Sequence, residues 1–190
     1  MARTAVLGWG SLIWCPQNLH IIGEWFRDGP YLPIEFARVS KDKRLTLVLF
    51  PSAEKVKVLW TYMNRGLDLG EAIENLRERE RTTGERIGFL EVSCRRERCN
   101  VVPEVIGDIE RWAHEKSVDA VIWTDLPSNF EERTRIKFTE QNVVKYLENL
   151  QEAEKRRAEE YIRRAPRQIR TKMRRVIEER LGWTYGGNNT

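Results

Sequence analysis

The strongest constraint on the fold is an ordering. Strand-length apolar runs crowd the first two thirds of the chain, and helical periodicity takes over the last third. The runs at 4–9, 33–39, 45–50, 56–63, 87–92 and 118–124 are rich in β-branched and aromatic residues and bounded by glycine, proline or charged turns, so each predicts a strand. Asp42-Lys43 reads as the hairpin turn between the second and third. Strands that arrive in neighbouring groups, rather than in strict β–α alternation, predict an α+β fold with about six strands.

Two helices interrupt these strands. Asp68 with Glu71 three positions later is a capping-box pair, and Leu69, Ala72, Ile73 and Leu76 mark a buried face that runs to about Glu80. Pro103 suits the first turn of a second helix to about Lys116, with Val105, Ile109, Trp112 and Ala113 on one side. Over 16–28, Ile21, Ile22, Trp25 and Phe26 recur at helical spacing until Asp28-Gly29-Pro30 ends the segment. The charged run Arg95-Arg96-Glu97-Arg98 reads as an exposed loop or hairpin.

From Thr139, a plausible N-cap, the pattern is helical through Val143, Val144, Leu147 and Leu150, and it continues or restarts until Pro166. Thr171 caps a last helix that Gly182 closes. The expected organisation is a domain over 1–130, a helical C-terminal extension over 131–185 that packs on it, and a flexible tail over 186–190.

Composition excludes several classes. No apolar run approaches the roughly 18 residues of a membrane span, and the N-terminus lacks a signal-peptide pattern, so a cytoplasmic protein without a membrane partner is expected. Three cysteines, an odd number, predict reduced thiols. With only His20 and His114 to join Cys94 and Cys99, the spacing suits no zinc site, and neither metal nor other cofactor is expected. The net charge of +4 is uneven: 151–182 carries eleven Lys/Arg against six Glu. Arg163, Arg164, Arg167, Arg170, Lys172, Arg174 and Arg175 could serve nucleic acid or an acidic partner. The stripe Ile169, Met173, Val176 and Ile177 favours a surface helix with solvated charges instead.

Chemistry is concentrated where the first strand ends, in Leu7-Gly8-Trp9-Gly10-Ser11-Leu12-Ile13-Trp14-Cys15-Pro16. A strand that ends in such a turn exposes successive amide N–H groups, which can cradle an anion. Ile13 occupies the third small position of a dinucleotide fingerprint, and no Gly-Lys-Ser/Thr follows. Leu12 after Ser11 breaks the hydrolase elbow. Spacing alone leaves a plain structural turn and a ligand cradle both open.

Gly8-Trp9-Gly10-Ser11-Leu12-Ile13-Trp14-x-Pro16 resembles the G-Y-G-S-L-[IV]-W-x-P signature of ChaC-type γ-glutamylcyclotransferases and the looser Y-G-S motif of the wider AIG2-like superfamily. Leu76-Arg77-Glu78-Arg79-Glu80 is similar to that family's leucine followed four residues later by a glutamate, and 38–46 resembles its early hairpin. The resemblance covers roughly residues 4–125. It implies a small mixed β-barrel with flanking helices, and an enzyme that cyclises a γ-glutamyl group to 5-oxoproline and releases an amine. It also implies Glu80 as catalytic acid/base, and Trp9, Gly10, Ser11 and Leu12 as the substrate-binding turn. Trp9 stands where the family usually has tyrosine, and Thr82-Thr83-Gly84-Glu85 replaces its aromatic-bearing G-G-Y, so the resemblance names no particular γ-glutamyl amine. Within the charge run itself, Glu78 competes with Glu80, and a solvated helix face competes with both. A non-catalytic binding module on the same fold is the alternative function.

Overall fold

The computed structural model describes residues 3–186, which form nine strands and six α-helices in an α+β arrangement. Residues 187–190 of the expected tail lie outside the described residues. The chain divides into two compact units: one up to Leu32 with Lys57–Leu126, the other Pro33–Val56 with the chain from Pro127 onward.

The first unit is built on a six-stranded mixed sheet. Its strands are β1 (Thr4–Gly8), β2 (Ile21–Phe26), β6 (Leu59–Met63), β7 (Ile87–Glu91), β8 (Arg96–Arg98) and β9 (Ala120–Thr124), in the order β2-β6-β1-β9-β7-β8. Only β1–β9 pair in parallel; the other described pairs are antiparallel. Central β1 is buried along its whole length, as its continuous apolar run requires. Helix α1 (Leu69–Glu80) is started by the expected capping box, in which Asp68 Oδ1 accepts from the Glu71 amide and Glu71 Oε2 accepts from the Asp68 amide, both at 2.8 Å. Ala72 and Leu76 of α1 pack with Val6, Leu12, Leu19, Met63, Ile87 and Ile122 into one core cluster. Helix α2 (Ile106–Lys116) follows a 3-10 turn at Pro103–Val105 and buries Ile106, Ile109, Trp112 and Ala113.

The segment with helical apolar spacing is strand β2, not a helix. Gly23 takes a left-handed φ of 78° and the register against β6 shifts between Ile22 and Phe26. This bulge separates the apolar pairs 21/22 and 25/26 by the interval a helix would give them. The Thr61 hydroxyl lies within hydrogen-bond reach of the carbonyls of Ile22 and Glu24 on either side of Gly23. The expected single strand over 56–63 is likewise two, β5 (Lys55–Lys57) and β6, in different sheets. Between them the Val58 amide donates to Pro30 O and Val58 O accepts from Gly29 N, so the ladder changes partner there.

The second unit is built on the three-stranded sheet β4-β3-β5, with β3 (Tyr31–Val39) and β4 (Leu45–Leu49) joined by a hairpin. In the hairpin Lys43 holds φ 68° and Ser40 N donates to Arg44 O. A short helix, α3 (Phe130–Thr134), precedes α4 (Glu140–Glu148), α5 (Glu152–Arg164) and α6 (Lys172–Leu181). Thr139 and Thr171 cap α4 and α6 as expected, and Gly182 ends α6 with φ 67°. Arg174 is buried and is spent inside this unit: Nη1 donates to Pro166 O and Ile169 O, and Nε to Glu178.

Buried Glu35 of β3 ties strand to helix: its carboxylate accepts from the amides of Phe36 (2.7 Å) and Met173 (3.1 Å) and from the Thr171 side chain. Burial nevertheless pushes its carboxyl above the ordinary glutamate value of 4.5. The stability linked to this group is therefore complete below that value and is lost as pH rises through the raised folded pKa. Glu35→Ala strands two buried amides and is expected to cost about 1–3 kcal/mol in urea denaturation at pH 7. Glu35→Gln should flatten the pH dependence of stability; an unchanged slope would rule the linkage out.

Candidate functional site

The site candidates Trp9, Gly10, Ser11, Leu12 and Glu80 all belong to the first unit. After β1 the chain turns sharply: Ile13 N donates to Gly10 O and Cys15 N to Ser11 O. These bonds use carbonyls of the turn, and no described residue accepts from the amides of Ser11 and Leu12. They stand as the leading amides of a helical turn do, without internal partners. Leu12 is buried in the core cluster and Trp9 is buried as well, so both anchor the turn from beneath, while Ser11 is half-buried. Gly8 is required by close approach: a Cβ there would lie 2.5 Å from the Trp25 ring.

Helix α1 delivers the carboxylate. Ala72, Asn75 and Leu76 define its buried face, and Arg79 and Glu80 continue that face three and four residues after Leu76. The Glu80 side chain is 16% exposed, whereas that of Glu78 is 53% exposed and pairs with Arg77 on the solvent side. Burial therefore separates the two glutamates that the charge run alone leaves interchangeable.

Arg79 connects the turn to the carboxylate. Its Nη1 donates to Glu80 Oε1 at 2.8 Å, and its Nη2 donates to Cys15 O at 2.6 Å and reaches Ser11 Oγ at 3.3 Å. The Arg79 side chain is 8% exposed, and its buried Nε–H has no acceptor among the described residues. Ser11 and Glu80, 69 positions apart in the chain, thus contact one guanidinium. Burial raises the Glu80 carboxyl above its ordinary range, and the Arg79 charge and hydrogen bond pull it back down. The result is a shielded carboxylate with a single cationic partner, held above the ordinary glutamate range by burial.

The charge run by itself gives Arg79 no role. The signal was present: positions 72, 75, 76 and 79 follow the i, i+3, i+4, i+7 pattern of one helix face.

Other candidates fare less well. A groove of about 790 Å³ in the second unit is lined by Glu35, Glu54, Glu140 and Lys172 beside Phe50 and Phe138. Its charges are already matched, Lys172 with Glu140 at 2.7 Å and Glu54 with Arg175 at 3.0 Å. Part of the basic C-terminal segment is similarly occupied: Arg163 pairs with Glu159, Arg164 with Glu160, and Arg174 is buried, while Arg167 and Arg170 are exposed. Among the described residues no group of three or more His, Cys, Asp or Glu is placed to hold a metal, and Cys15, Cys94 and Cys99 form no disulfide. No helix among the described residues is long and apolar enough to cross a membrane.

Compared with models of protein families, with curated proteins and with solved structures, the chain matches none.

Proposed function

We propose that the chain is a γ-glutamylcyclotransferase-like enzyme, acting in the cytoplasm on a small γ-glutamyl amine. The observation that carries this reading is the Arg79 bridge, which joins a largely shielded, upward-shifted Glu80 to a glycine–serine turn with undonated amides. The small mixed β-barrel implied by the family resemblance belongs to the same proposal.

The reaction is an intramolecular aminolysis. The substrate's α-amine attacks its own γ-carbonyl carbon, a ring C–N bond forms, and the γ-amide C–N bond breaks. The attacking nitrogen arrives as an ammonium and gives up two protons on becoming the ring amide, one before attack and one after it; Glu80 relays each in turn to the leaving nitrogen, so the products are 5-oxoproline and the released amine in its ammonium form. One carboxylate performs both transfers because each uses the same oxygen in opposite protonation states. The amides of Ser11 and Leu12 offer donors to the γ-oxygen as it gains negative charge, a contribution of about 3–4 kcal/mol per donor in other acyl-transfer sites. Trp9 supplies apolar wall beneath the turn, and the chemistry calls for no metal or organic cofactor.

Incubation with a mixed panel of γ-glutamyl amino acids, peptides and polyamines, followed by mass spectrometry, should detect 5-oxoproline and identify the released amine. Absence of 5-oxoproline from every member would overturn the enzyme reading. Thermal stabilisation by 5-oxoproline without turnover would leave a binding module on the same turn.

A further inference from the structure

We infer that Arg79 is a positioning residue: its guanidinium braces the Glu80 carboxylate against the glycine turn through Ser11 and Cys15. This rests on the role proposed for Glu80.

The geometry requires some such brace. Glu80 is the last residue of α1, and Arg81 already turns left-handed at φ 50°. Terminal helical turns fray, so the helix backbone alone holds a final side chain loosely. Arg79 reaches out of the same turn and fastens to a different element: Nη2 to Cys15 O at 2.6 Å and to Ser11 Oγ at 3.3 Å, with Nη1 on Glu80 Oε1 at 2.8 Å. A rigid planar fork can serve these three acceptors together, whereas a lysine ammonium is a single point of donors on a flexible stem. Position and charge also agree, since a cation at a helix C-terminus is favoured by the helix dipole.

The brace has an electrostatic consequence. Among the described residues Arg79 is the charged group that acts on Glu80, opposing the burial that favours the neutral acid. Within α1, Arg77 is engaged with Glu74 and Glu78 on the exposed side. On the turn and the segment after it the titratable groups are Cys15 and His20, both exposed, the amide of His20 donating to Asn75 of α1. The other segments around α1 carry Glu85 and Arg86 in the 3-10 turn Gly84–Arg86, Glu91 in β7 and Asp125 after β9, and none of these contributes to the Glu80 shift. Loss of Arg79 therefore leaves burial unopposed.

The test is to titrate Glu80 directly, by the carboxyl carbon shift of glutamate-labelled protein, with Glu80→Gln assigning the signal. In Arg79→Met the Glu80 midpoint should move to higher pH than in the wild type. Arg79→Lys keeps the charge, so its midpoint should stay close to wild type while kcat falls by about 10- to 100-fold through lost alignment. A Glu80 midpoint unchanged by Arg79→Met would overturn the inference whether or not the protein turns over substrate. If Arg79→Met does not fold, Arg79→Lys decides: a wild-type kcat overturns the brace. Failure of the enzyme reading looks different, because 5-oxoproline is then absent in every variant while the titration still reports on Arg79.

Discussion

Glu80→Gln is expected to abolish 5-oxoproline release while leaving the fold and ligand binding in place. The amide has the shape of the acid but can neither take the ammonium proton nor return one. Positioned acid/base groups contribute about 10²- to 10⁴-fold, equivalent to about 3–5 kcal/mol of barrier. Glu78→Gln is the matched control: two residues away on the same helix, with a side chain 53% exposed, it should retain near wild-type activity. Equal losses in both variants would point to a charge effect of the whole helix end and sink the assignment. Stability supplies a second readout. Because burial raises the folded pKa of Glu80, its stabilising linkage is complete below the ordinary glutamate value of 4.5 and is lost as pH rises through the folded value. Removing the titration should therefore make Glu80→Gln gain stability relative to wild type as pH rises, against the loss of a counter-charge for Arg79. That cation keeps Cys15 O and Ser11 Oγ as partners, which limits the offset.

What the sequence makes legible here is local. The capping box at Asp68 and Glu71, the caps at Thr139 and Thr171, the left-handed Gly182 and the hairpin at 40–44 each depend on residues a few positions apart, and each is found. What misleads is also instructive. The bulge at Gly23 gives β2 a helical apolar interval, and the break at Val58 hides inside one strand-like stretch over 56–63. Neither is visible without the neighbouring strand. The non-local polar partners are invisible for the same reason: Glu35 meets Met173 across 138 positions, and Asn129 accepts from the amide of Val39 and donates to its carbonyl across 90. At the candidate site, Leu76 and Glu80 share a helix face by their spacing, but the choice of Glu80 over Glu78 turns on burial, and Arg79 acquires meaning only from Ser11 and Cys15 far upstream.

Leu76→Ala is expected to have the largest effect on stability and to damage the site from below. Leu76 is fully buried among Val6, Leu12, Leu19, Ala72, Ile87 and Ile122, so it touches the core that carries β1, β7, β9 and the glycine turn. Truncating a leucine at such a position removes transfer free energy and leaves a cavity, for about 2–5 kcal/mol in urea denaturation. Domains of this kind hold about 5–15 kcal/mol in all, so most molecules remain folded at low temperature. Activity measured there should still fall, because the cavity opens in the core cluster that anchors both the turn and α1. Leu12 lies next to Ser11 in the chain, Leu76 lies one helical turn before Glu80, and both belong to one core cluster, so slack in that cluster moves turn and carboxylate independently. Leu76→Met, which preserves volume, should cost under about 1.5 kcal/mol and restore most of the rate. A Leu76→Ala variant that loses stability but keeps full activity in its folded fraction would show that Arg79 alone holds the turn and Glu80 in register. An Arg79→Lys, Leu76→Ala double variant would then lose no more rate than Arg79→Lys by itself, whereas shared support predicts a further drop.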